Sequence, residues 1–215
     1  SRREAAGFTS QGRDLLYTEA VLRAQLETSP DAIVVADGDH NILAWNQRFL
    51  AMWGFSEEDL ANGRGETALA AVADLPQAPA AFEAEVRRLY EHLEEPEEGV
   101  EIPLRDGRVL ERYSRGVQDE RGLYWGRAWY YRDITQRKWA ESALTESEQR
   151  FRAIFERAAL GIAVVGPDGR PVTVNPALAR MLGRTETELC GMPFEAFTHP
   201  DDVAQDLALF ERLKA

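Results

Sequence analysis

In the run Leu123–Arg132, LYWGRAWYYR, every second position carries a side chain able to stack or bind: Trp125, Arg127, Trp129 and Tyr131. An extended strand places these four on one face and Tyr124, Gly126, Ala128 and Tyr130 on the other. A Trp and an Arg on a common face can sandwich a flat, anionic or carbonyl-bearing ligand by stacking and bidentate hydrogen bonding. The competing assignment is structural, with Trp129 filling a core and Arg127 paired to a glutamate such as Glu111. Arg112, Trp45 and Trp53 complete the candidate ligand set, and for both tryptophans a core role competes in the same way. Other chemistry is sparse. With three His and one Cys there is no metal-ligand spacing, no Gly-rich phosphate loop and no nucleophile–base pair. Cys190 sits at an expected loop position near His199, Asp201 and Asp202, but HPDD reads as a loop-to-helix cap rather than a metal site. No catalytic residue is assigned, and the metal assignment is none.

The elements that would position these residues are repeated. Ile33–Gly63 aligns without a gap on Ile162–Met192, an offset of 129 residues (162 − 33), with Ile33, Val35, Asp39, Asn46, Met52, Gly54, Glu57 and Leu60 recurring. Each copy reads as a strand, an Asp/Gly turn and a second strand, then a helix opened by Asn46 or Asn175 and closed by Gly54 or Gly183. Asp39, Asn46 and Gly54 are therefore read as structural. Ser56-Glu-Glu-Asp and Thr185-Glu-Thr-Glu have the chemistry of capping boxes opening a further helix. The first copy continues with a helix from about Ala80 to Leu93, spaced by Phe82, Val86, Leu89 and Tyr90. Three strand-like runs follow: Gly99–Leu104, Val109–Val117 and Leu123–Arg132. The pattern defines an α+β domain with one five-stranded antiparallel sheet and helices across one face.

Composition restricts the partners. The 215 residues are 44% hydrophobic and 29% charged, with a formal net charge of −12. So acidic a chain lacks the basic footprint that nucleic acid or an anionic membrane requires. No apolar run approaches the roughly 20 residues of a membrane span, and the N-terminus has no signal-peptide hydrophobic region. A single Cys excludes an internal disulfide. The expectation is a cytoplasmic protein with no nucleic-acid partner and no direct membrane insertion.

The stretches SPDAIVVADGDHNILAWNQRFLAMWGFSEEDL and GRAWYYRDITQRK resemble the PAS family of sensory modules. The resemblance covers nearly the whole chain. It divides it into an N-terminal amphipathic helical segment (1–29), a first PAS-like domain (30–135), a connecting signalling helix (136–158) and a second PAS-like domain (159–215). The second domain lacks a counterpart of the meander Gly99–Thr135, which would leave sheet edges to pair elsewhere. By the resemblance, Arg127, Trp129 and Tyr131 face the pocket, and Asp133, Ile134 and Thr135 form the output junction. It implies an input module of a bacterial signalling protein, upstream of a histidine kinase or a cyclic-di-GMP enzyme, that senses a small ligand. The chain itself is not read as an enzyme. The alternatives are a ligand-free dimerisation or spacer module and a flavin or haem redox sensor. The cofactor is left unknown. Photochemistry in light-sensing relatives needs a Cys that the first copy lacks, a non-covalent flavin stays open, and haem is disfavoured because His92 closes its helix among acidic residues.

Two helical segments offer association surfaces. A heptad register places Leu144, Phe151 and Ala158 on one seam position and Ala140, Ser147 and Ile154 on the other. The N-terminal segment contributes Leu15, Leu22 and Leu26 with Tyr17 and Val21. The expected partner is a second copy of the chain, paired through these helices as a coiled coil.

Overall fold

The computed structural model describes residues 10–61, 63–92 and 95–214. They fall into two compact units divided between Trp139 and Ala140.

The first unit begins with helix α1 (Ser10–Thr28), then strands β1 (Ala32–Asp37) and β2 (Ile42–Trp45). Four helices follow, α2 (Gln47–Trp53), α3 (Glu57–Ala61), α4 (Gly65–Val72) and α5 (Pro79–Glu91), and then the meander β3 (Glu97–Pro103), β4 (Val109–Gln118) and β5 (Tyr124–Asp133). The five strands form the one antiparallel sheet that the hydrophobic pattern predicts, and their order in it is β2-β1-β5-β4-β3. Its inner face carries Val34, Trp129, Tyr131, Leu110 and Ile102. Against it lie Phe49, Leu50 and Trp53 of α2, Leu60 of α3, Val72 of α4, and Phe82, Val86 and Leu89 of α5. Burial of this apolar layer is the main force holding helices to sheet.

One expected alternation fails locally. Gln118 pairs with Tyr124 but Val117 pairs with Gly126, so β5 holds one extra residue at Trp125. This bulge turns Trp125 outward, 58% exposed, whereas Arg127, Trp129 and Tyr131 are buried on the inner face. Trp125 therefore does not share the face predicted for it. Gly126 makes the bulge feasible. A Cβ there would lie 2.9 Å from Asp37 Cα and closer still to the Ala36 carbonyl oxygen. Gly126→Ala is expected to cost about 1–3 kcal/mol, because the obstacle is backbone and cannot rotate away; a urea titration followed by tryptophan fluorescence measures it.

The second unit takes up the later part of α6 (Thr135–Arg157), a hairpin of β6 (Ala163–Val165) and β7 (Pro171–Val174), and helices α7 (Pro176–Leu182), α8 (Glu186–Cys190) and α9 (Pro200–Lys214). A 3₁₀ turn at Phe194–Ala196 precedes α9. Its buried residues include Phe155, Val174, Ala177 and Leu189. Cys190 ends α8 rather than lying in a loop. Among the described residues this unit has two strands, and the β6 edge corresponding to the β1 edge that binds β5 carries no strand.

The repeat is local chemistry as well as pattern. Gly54 and Gly183 close α2 and α7 in the left-handed conformation, at φ 78° and 63°. Thr185 and Glu188 form a capping box, and Ser56 and Asp59 exchange the same reciprocal bonds. In the first β-hairpin, Asp37 rather than Asp39 holds the turn, its carboxylate accepting the backbone N–H groups of Asp39 and Asn41.

Candidate functional site

The helices of the first unit do not fill the inner face of the sheet. Between them lies a cavity of about 290 Å³. Trp53 and Phe82 wall it on the helix side, Trp129 and Tyr131 form its floor, and Tyr90 stands towards one end. His40, Glu66, Glu83 and Arg87 supply its polar lining. The rings interlock. Trp53 meets Tyr131 edge-on with centroids 5.1 Å apart, and Tyr90 lies 5.5 Å from Trp129. His40, held at φ 64° in the β1–β2 turn, sets its ring 3.9 Å from that of Tyr90, tilted by 35°.

Polar atoms in the buried part of this wall are few. The indole N–H groups of Trp53 and Trp129 are buried without a hydrogen-bond partner. The Tyr90 hydroxyl interacts with the Trp129 indole, yet no bond of ordinary geometry joins them. Burial raises the Tyr90 hydroxyl pKa and pushes that of Tyr131 up to about 12. Both phenols therefore stay protonated at neutral pH.

Of the predicted ligand residues, the structure brings Trp53, Trp129 and Tyr131 together on the cavity. Arg112 and Arg127 are buried but lie behind its lining. The Arg112 guanidinium, 5.5 Å from the Trp129 ring and 5.3 Å from that of Phe82, makes two 2.7 Å bonds to the Glu97 carboxylate. Arg127 does not pair with Glu111. It donates to Ser114 Oγ and to the carbonyls of His92 and Glu95, fastening the end of α5 to the sheet. Trp45 is half-buried at the edge of the core and does not line the cavity. Sequence reasoning missed Glu97, one glutamate within an acidic run. It also missed His40, whose left-handed backbone carries no clear sequence signal. Among the described residues, no three His, Cys, Asp or Glu side chains converge as a metal site would require.

The predicted junction is a hydrogen-bonded corner. Ile134 is buried and its N–H donates to the Val109 carbonyl. Thr135 Oγ1 accepts the Val109 N–H and donates to Asp133 Oδ1. In the first turn of α6, Arg137 bonds Glu111 of β4 at 2.9 Å and Lys138 meets Glu101 of β3 at 2.6 Å. The Tyr113 hydroxyl and the Arg137 guanidinium hold the Glu111 carboxyl below the usual carboxylate range. Because its folded pKa is lowered, this contribution is present above the unfolded value and is lost as pH falls through the folded one.

A five-stranded antiparallel sheet with helices across one face, an apolar cavity between them and a following helix bonded to the meander, is a PAS-like fold. The family model for the PAS domain matches residues 20–91 and 149–214, and the chain belongs to that family, with two copies. Over 70 residues, 33% of the chain, it is 40% identical to the probable diguanylate cyclase DgcE of Escherichia coli K12. Over 63 residues, 29% of the chain, it is 38% identical to the sensor histidine kinase TmoS of Ectopseudomonas mendocina. Each match takes in 6% of the relative's own length, so the chain spans only the PAS portion of these signalling enzymes. Among solved structures, the PAS domain of Bordetella pertussis BvgS superposes over 62% of this chain and 98% of that one, with a TM-score of 0.47 and 20% identity. No helix among the described residues is long and apolar enough to cross a membrane.

Proposed function

We propose that the first domain senses a small molecule in the Trp53–Trp129–Tyr131 cavity and relays its occupancy through α6 to an output enzyme, a diguanylate cyclase or a histidine kinase. One observation carries this reading. Strand β5 is both the cavity floor and the lead into α6, with Tyr131 two residues before Asp133 and four before Thr135. A guest moving that strand acts directly on the corner made by Val109, Asp133 and Thr135. Binding can shift α6 only by the difference in affinity between its two arrangements, and a hundredfold difference is worth about 2.7 kcal/mol.

The test is native mass spectrometry of the chain purified from its own host, with hydrogen exchange before and after ligand removal. A retained small molecule, with altered amide protection at Thr135–Trp139 on its loss, is expected. No retained mass, together with no thermal shift across a metabolite panel, would sink the reading.

We also propose that the chain pairs with a second copy through α1 and α6. Leu15 and Leu22 of α1 and Leu144, Phe151 and Ile154 of α6 are all more than half exposed, whereas α6 ends at Arg157, one residue short of the last seam position. Light scattering is expected to give twice the 24.2 kDa chain mass, and the double variant Leu144→Glu/Ile154→Glu to weaken the pair at least tenfold. A monomer at every concentration, unchanged on deleting residues 1–28, would count against it.

A further inference from the structure

His40 holds a conformation in which its turn has no need of a side chain. Among the described residues it is the one non-glycine with a positive φ, at 64°. Backbone strain of this kind persists where the surroundings make use of the residue. The second domain supplies the comparison. Gly169, 129 residues on (169 − 40), occupies the same place at φ 77°. The two turns make the same main-chain bonds. His40 N–H donates to the Asp37 carbonyl, and Gly169 N–H to that of Gly166. The His40 carbonyl accepts from Gly65 N–H, and the Gly169 carbonyl from Phe194 N–H. Glycine therefore suffices for the turn, and the imidazole of His40 serves something outside it.

The imidazole lines the cavity together with Tyr90, Trp129 and Tyr131, and at 32% exposed it stands where the cavity meets solvent. Among the described residues neither of its nitrogens makes a hydrogen bond. Nδ1 is 3.9 Å from the Glu66 carboxylate, beyond hydrogen-bond reach. A neutral imidazole offers one donor and one acceptor. A ring that only filled this corner would need neither. The second domain fills its own with carbon, the Phe194 ring lying 3.7 Å from where a Cβ on Gly169 would stand.

The surroundings restrict what the imidazole can hold. Deeper in, the wall is apolar, with Val34, Phe49, Val72, Phe82 and Val86. The cavity of about 290 Å³ equals roughly ten waters at about 30 Å³ each, room for a body of one or two rings. Beside His40 the polar lining is Glu66, Glu83 and Arg87, and Arg87 lies 3.6 Å from Glu83. An anionic end would meet two carboxylates and an arginine already paired. A hydroxyl both donates and accepts, so it suits either tautomer of the imidazole.

We infer that His40 is the specificity-determining residue of the cavity, binding the neutral, hydroxyl-like end of a guest whose apolar ring body lies among Trp53, Trp129 and Tyr131. The inference rests on the sensing function proposed above, and the experiment separates the two. Three probes of matched shape, 2-naphthol, naphthalene and the anion 2-naphthoate, are titrated calorimetrically into the full chain and into His40→Gly and His40→Asn. One hydrogen bond is worth about three- to tenfold in affinity. The unaltered chain is therefore expected to bind 2-naphthol about three- to tenfold tighter than naphthalene. His40→Gly should abolish that preference. His40→Asn should keep most of it, because asparagine tolerates the left-handed backbone and retains a donor and an acceptor. The ratio of the two affinities cancels whatever packing both probes lose with the ring. Equal binding of 2-naphthol and naphthalene to the unaltered chain, or a preference that survives in His40→Gly, would overturn the role of His40 and leave the cavity a ligand site. Failure of His40→Gly to fold would overturn it too, since the turn would then need the imidazole. Tighter binding of 2-naphthoate would overturn the neutral end. A preference lost as expected, with no change in amide protection at Thr135–Trp139 on adding 2-naphthol, would uphold His40 and sink the sensing role. No binding of any probe would overturn both.

Discussion

Glu97→Ala is expected to destabilise the first unit by about 3–5 kcal/mol, because it strands a buried guanidinium. The Arg112 and Glu97 side chains are 1% and 4% exposed, and both oxygens of the carboxylate are engaged at 2.7 Å. Without Glu97 the charge of Arg112 would face the Phe82 and Trp129 rings in a site closed to water. The loss is a large share of the ~5–15 kcal/mol by which a domain is usually stable. All five tryptophans lie in the first unit, so their fluorescence in a urea titration reports this unit alone. Glu97→Gln keeps an acceptor and should cost less. Removing both charges, as Glu97→Met with Arg112→Leu, should recover most of the loss, since an apolar pair of similar volume carries no desolvation penalty. If Glu97→Ala melts like the unaltered chain, the pair is not what secures the start of β3.

The contrast between Glu97 and Trp129 explains what could be read in advance. Trp129 declares itself, because alternation is a backbone property and an aromatic at every second position marks a face. Within β5 the reading held from Arg127 to Tyr131 and broke at Trp125, where an inserted residue reverses the face and only Gly126 hints at it. The repeat was legible for the same reason: caps at Asn46, Gly54, Asn175 and Gly183 are fixed by local geometry. Glu97 was not, because nothing nearby in sequence separates it from the exposed Glu98; Arg112, fifteen residues away, decides its burial. The partners of Arg127 were hidden for a related cause. Two of its partners are backbone carbonyls, of His92 and Glu95, and a carbonyl leaves no mark in a sequence. The cavity is harder still, since it is space left between α2, α4, α5 and the sheet, and no residue encodes a space alone.

Asn46→Ala should remove about 3–5 kcal/mol from the first unit, and Asn175→Ala a comparable amount from the second. Asn46 makes four hydrogen bonds: Oδ1 accepts the N–H groups of Ile33 and Phe49, and Nδ2 donates to the carbonyls of Leu26 and Asp31. Asn175 makes the same four with Ile162, Leu178, Phe155 and Leu160, each partner 129 residues on (162 − 33). One fully buried side chain thus caps a helix, starts a strand and grips the last turn of the helix entering its domain. Alanine would lose a cap worth about 1 kcal/mol and leave buried backbone groups unpaired at about 1–3 kcal/mol each, reduced where water can reach them. The two copies serve as each other's control. Asn46→Ala should lower the tryptophan-monitored midpoint and open the Ile33 and Phe49 amides to exchange, with Ile162 and Leu178 unchanged. Asn175→Ala should do the reverse, sparing the fluorescence transition while freeing the end of α6 from its grip on Phe155. That second variant isolates transmission, for it leaves the cavity and the Asp133–Thr135 corner intact. If α6 carries a signal into the second domain, Asn175→Ala should keep ligand-dependent protection at Thr135–Trp139 and lose it at Ile162 and Leu178. Retention of the response at both places would show that the grip of Asn175 is not part of the path.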